Sequence, residues 1–105
     1  MLKIIFDLAK IFYDKASKMD SKFVEPILNK GILLSRLGKN EESISYFDRV
    51  LEIEPQLIEA LSTKGIVLES LDDHHEAISY FDRALQIDPN HFDSLFHKGI
   101  SLAKL

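Results

Sequence analysis

Four histidines and a few adjacent acidic residues are the side chains here whose types most readily do chemistry. His74 and His75 are neighbours, so on a helix they point about 100° apart. A metal ion needs ligands that converge, and this pair falls at a turn before a helix. His91 and His97 are read the same way, as solvated side chains. With no cysteine in the sequence, zinc could be held only by histidine and carboxylates, and no metal site is expected. Asp72 and Asp73 could act as an acid–base pair, but their place between two helical patterns suits turn and capping roles. Asp48-Arg49 and Asp82-Arg83 read as surface pairs, each worth well under ~1 kcal/mol. No Gly-rich phosphate loop, nucleophile elbow or Ser/His/Asp arrangement occurs. The chain therefore reads as no enzyme, with no catalytic residue and no cofactor.

Composition narrows the remaining classes. The 105 residues suffice for one small domain, and 46% are hydrophobic, ordinary for a folded protein. The formal net charge is −4 and the Lys and Arg residues are scattered. That argues against a nucleic-acid protein, whose affinity comes mainly from neutralising phosphates. Asp7 and Lys10 interrupt the apolar start of the chain too early for a secretory signal. No stretch approaches the ~20 apolar residues of a membrane span. A soluble, cytoplasmic protein is expected, in keeping with the lack of cysteine.

What must position any site is a repeat. Gly31, Gly65 and Gly99 stand 34 residues apart, as do Lys30, Lys64 and Lys98, Phe47 and Phe81, and Pro55 and Pro89. Residues 24–57 and 58–91 share 16 of 34 positions. A period of this length marks helix–turn–helix units, each too small to bury its apolar face alone. In the first unit, Ile27, Leu28, Leu34 and Leu37 follow helical spacing. Gly38 can take the left-handed conformation that ends a helix. Asn40 is a candidate N-cap, and Glu41 and Glu42 suit the positive end of the next helix. Ile44, Phe47, Val50 and Leu51 form its face, and Pro55 closes the unit. The second unit repeats this, with Asp72 for the turn glycine.

These residues together resemble the tetratricopeptide repeat family. Its pattern of small, small, aromatic, Ala and Pro is met by Gly31, Ser43, Phe47, Val50 and Pro55, then by Gly65, Ala77, Phe81, Ala84 and Pro89. Ile27, Leu61 and Leu95 stand where the family often has a large aromatic. The resemblance implies an all-α fold, a right-handed α-solenoid of about six helices. The array divides into a half repeat at 4–23 (second helix only), full repeats at 24–57 and 58–91, and a half repeat at 92–105 (first helix only).

In this family the first helices line a concave groove. The positions resembling groove-facing ones hold Glu25, Leu28, Ile32 and Ser35; then Glu59, Ser62, Ile66 and Glu69; then Asp93, Phe96, Ile100 and Ala103. The Lys and Asn that grip a terminal carboxylate in some members are absent. The resemblance thus implies a non-catalytic scaffold for another protein, offering an apolar stripe with an acidic border to a peptide or amphipathic helix with apolar and basic residues. On sequence alone, the three isoleucines could equally pack between units. The alternative function is self-association through the incomplete end repeats, setting Gly99 and Leu102 against Ala9 and Tyr13 of a second copy to give a homo-oligomer.

Overall fold

The computed structural model describes residues 2–5, 8 and 22–105. Five helices follow one another: α1 (Val24–Arg36), α2 (Asn40–Ile53), α3 (Ile58–Ser70), α4 (His74–Ile87) and α5 (Phe92–Ala103). Residues 2–5 and 8 are helical as well, and no strand occurs among the described residues. The expected half repeat at 4–23, with Ala9 and Tyr13, lies largely outside them.

The turns within each hairpin follow from two residues at positive φ. Gly38 has φ 78° and Asp72 has φ 62°. Each lets two amides fold back on the helix just ended: Lys39 N–H donates to the Leu34 carbonyl and Gly38 N–H to that of Ser35, and Asp73 and Asp72 do likewise to Leu68 and Glu69. This satisfies carbonyls that a helix end leaves open. One expectation is corrected here. Asn40 does not cap α2 but is its first residue, because Lys39 already offers its carbonyl to Ser43 N–H at 3.0 Å. The units close as expected at proline. Glu54 and Asp88, each just before one, have ψ 85° and 98°, outside helical geometry.

Within a hairpin the close approach is set by glycine. The Phe47 and Phe81 rings are fully buried against Gly31 and Gly65, and Ser43 and Ala77 are buried one turn earlier on the same helices. Val50 and Ala84 complete this face. Between units, α2 packs on α3 and α4 on α5. The first helices also touch in succession, α1 on α3 and α3 on α5, while α2 and α4 do not meet. The first helices therefore form the inner row, and the second helices fan apart on the outer side. That is the curvature of an α-solenoid.

A polar ladder runs beside this core. Lys64 is only 6% exposed. Its ammonium donates to Asp48 of the preceding unit and, at 2.7 Å, to the Tyr80 hydroxyl of its own. Lys98 repeats the link to Asp82 at 2.6 Å. Burial pushes the Lys64 ammonium down, but the hydrogen bonds to Asp48 and Tyr80 outweigh it and hold the group above its ordinary value.

Candidate functional site

The inner row of helices opens into a groove of about 570 Å³. The C-terminal half of α1 gives it Ile32, Ser35 and Arg36. The first nine residues of α3 give Ile58, Glu59, Ser62, Thr63 and Ile66, and the start of α5 gives His91 and Asp93. The groove therefore crosses the three first helices obliquely, from the end of α1 to the beginning of α5.

Of the residues expected there, Ile32, Ser35, Glu59, Ser62, Ile66 and Asp93 line it. Ile32 and Ile66 are half-buried. Each packs against a core cluster, Ile32 on that around Phe47 and Ile66 on that around Phe81. One side of Ile32 and of Ile66 thus packs on a core cluster, that of Ile66 within its own hairpin, and both residues also line the groove. Glu25, Leu28, Glu69, Phe96 and Ile100 do not line it. Leu28 is 5% exposed and belongs to the core with Val24, Phe47, Val50, Ala60 and Val67. Its repeat position faces the next first helix, which covers it. Ser62, at the same position, is buried too, while Phe96 on α5 is 54% exposed. Glu69 is held by His97, whose Nδ1 lies 3.1 Å from its carboxylate. Glu25 is exposed and Ile100 half-buried away from the groove.

Arg36, Ile58, Thr63 and His91 line the groove without having been expected there. Their signal was faint. Arg36 and His91 sit just outside the stretch that helical spacing marks as inner face, and only the oblique course of the groove reaches them. His91 also shapes its wall, since its ring accepts the Ser94 N–H and caps α5. His74 is buried with Nδ1 3.4 Å from the Ser101 hydroxyl, tying α4 to α5. Among the described residues, no group of three or more His, Cys, Asp and Glu could hold a metal ion.

The second feature is the outer face of α5. A Cβ at Gly99 would meet nothing within 4 Å. Leu95 and Leu102 beside it are 48% and 53% exposed. In the two full hairpins a phenylalanine ring fills the equivalent place.

The family model described as tetratricopeptide repeat matches residues 23–90. Among solved structures, MamA (residues 41 to the end) from Desulfovibrio magneticus RS-1 is 32% identical, with a TM-score of 0.73 over 77% of this chain and 46% of that one. YrrB, described as a tetratricopeptide protein with an unusual peptide-binding site, is 25% identical, with a TM-score of 0.74 over 88% of this chain and 47% of that one. An RS-1 MamA double mutant, 23% identical, shows the shared fold, with a TM-score of 0.72 over 90% of this chain and 53% of the other. The chain thus spans about half the length of each. No curated protein matches it. No helix among the described residues is long and apolar enough to cross a membrane.

Proposed function

This chain belongs to the tetratricopeptide repeat family, and on that premise we propose that it is a non-catalytic scaffold binding a peptide or helix of a partner protein in its concave groove. The observation that carries this reading is the groove itself: Ile32, Ile58 and Ile66 form an apolar floor across successive first helices, with Glu59 and Asp93 on its border. Such a surface suits a partner segment with apolar and basic residues. The peptide-binding site described for YrrB is a property of that protein, and it supports the reading by likeness of fold. A cytoplasmic place of action fits a sequence without cysteine.

Two variants test it. Ile66→Lys puts a charge on the floor, and Thr63→Arg blocks the same space from a side chain outside both core clusters. Each is first shown to be helical by circular dichroism. A partner captured by the unaltered chain is expected to be lost by both. A partner kept by both would move the binding surface elsewhere.

Self-association through the terminal helices is the second reading, favoured by the space left open at Gly99. Of the residues it invokes, Gly99 and Leu102 lie on α5, and Ala9 and Tyr13 lie outside the described residues. Light scattering should then show mass rising with concentration, and Leu102→Glu should abolish the rise. A mass that stays monomeric throughout would sink this reading.

A further inference from the structure

The hydrogen-bonding state of the groove wall carries the choice of ligand further than its shape does. A hydroxyl has one proton to give. In this groove each is already given. Ser35 Oγ donates to the Ile32 carbonyl at 2.7 Å, Ser62 Oγ donates to that of Glu59 at 3.3 Å, and Thr63 Oγ1 donates to the same Glu59 carbonyl. Such bonds back onto the helix are the usual local habit of these side chains. They leave the half-buried Ser35 and Thr63 hydroxyls facing a ligand as acceptors only, while Ser62, 5% exposed, is largely covered. The ionised carboxylates of Glu59 and Asp93 are acceptors as well. Arg36, at the opposite end of the groove, is a donor only.

The charges are also unspent. Among the described residues, Lys64 pairs with Asp48, Lys98 with Asp82 and His97 with Glu69, but Arg36, Glu59 and Asp93 form no salt bridge. Each of the three sits at the helix end whose dipole it offsets. That role leaves the outer lone pairs and N–H groups free for a ligand. The wall is thus acceptor-rich along α3 and at Asp93, and it turns to the Arg36 donor at the end of α1. One donor stands beside Asp93 in His91, whose Nδ1 accepts from Ser94 and whose ring proton is therefore on Nε2.

From this we infer that the groove takes an extended, donor-rich peptide segment with charges in a fixed order: cationic side chains at Glu59 and Asp93, an apolar side chain over Ile32 and Ile66, and an anionic side chain at Arg36. An extended segment brings a free backbone N–H at nearly every residue. A helix has already bonded its own and offers the Ser35 and Thr63 hydroxyls little. Charge complementarity then fixes which way the segment lies. The inference rests on the groove reading above.

The test is a displayed library of random short peptides, selected on the intact chain. Recovered peptides should carry Lys or Arg on one side of an apolar residue and Asp or Glu on the other. Their affinity should fall about tenfold in the variant Glu59→Lys/Asp93→Lys. N-methylation of their backbone amides should weaken them too. Recovery of acidic or uncharged peptides, or affinity unmoved by the double substitution, overturns the inference. If those peptides are still lost on Ile66→Lys and Thr63→Arg, the groove reading survives that result. Recovery of no peptide, or of peptides that bind those two variants unchanged, overturns both.

Discussion

Gly65→Leu is expected to unfold the chain or leave it loosely packed, while Gly99→Ala, at the same repeat position, is expected to raise its melting temperature. The difference lies in what each new side chain would meet. A Cβ at Gly65 would lie 2.5 Å from Phe81 Cε1, and one at Gly31 would lie 2.8 Å from Phe47 Cε1. Neither ring can step aside, because both are fully buried. Overpacking of this kind costs about 1–3 kcal/mol for modest insertions, and a leucine adds three further carbons to the clash. Domains of this size have only about 5–15 kcal/mol in all. Gly99 has open space, so alanine there gains helix propensity of up to ~1 kcal/mol, or about 4–8 °C in a small domain. A coupling test separates the clash from propensity. Phe81→Leu removes ring atoms that a Cβ at Gly65 would strike, so Gly65→Ala should cost less in that background than alone. Equal melting temperatures for Gly65→Leu and the unaltered chain would contradict the packing described here.

The repeat was legible because each unit must solve the same packing problem with the same residues. Gly31 and Gly65 recur because a ring stands over each, and Asp72 replaces Gly38 because aspartate tolerates the positive φ that the turn imposes. The groove was legible only in part. Helical spacing places Leu28 and Ile32 on nearby faces, but it does not say how close the next first helix comes. That approach buries Leu28 against Ala60 and Val67 and leaves Ile32 at the groove. Arg36, Ile58, Thr63 and His91 enter through the oblique course of the groove, which depends on the stagger between helices and so lies beyond any single repeat. Asn40 was misread for a local reason. Asparagine is a favoured cap, but the amides that turn back after α1 leave Lys39 to start α2.

The second large effect is expected at the lysine ladder, and its sign runs against intuition: removing the acid should hurt more than removing the base. Asp48→Ala leaves the Lys64 ammonium, 6% exposed, with Tyr80 as its one remaining hydrogen-bond partner. Removing one partner of a fully buried pair costs about 3–5 kcal/mol. Asp48 is itself about half exposed, and water on that side relieves part of the penalty, so a loss of about 2 kcal/mol is expected. Asp82→Ala is the internal control. Its partner Lys98 is 32% exposed and stays hydrated when the acid is gone, so the loss should stay below ~1 kcal/mol. Lys64→Met should be milder than Asp48→Ala, because it removes the buried charge with its attraction, and the family's repeat pattern places leucine there. Alkaline pH gives an independent readout. The Lys64 ammonium titrates above its ordinary 10.5 in the folded chain. The stabilisation it brings is therefore complete below that value and is lost as pH rises through the higher folded one. Chemical denaturation across that range should show a fall in stability that Lys64→Met flattens. An identical fall in the variant would mean that the ladder contributes nothing beyond the packing around it.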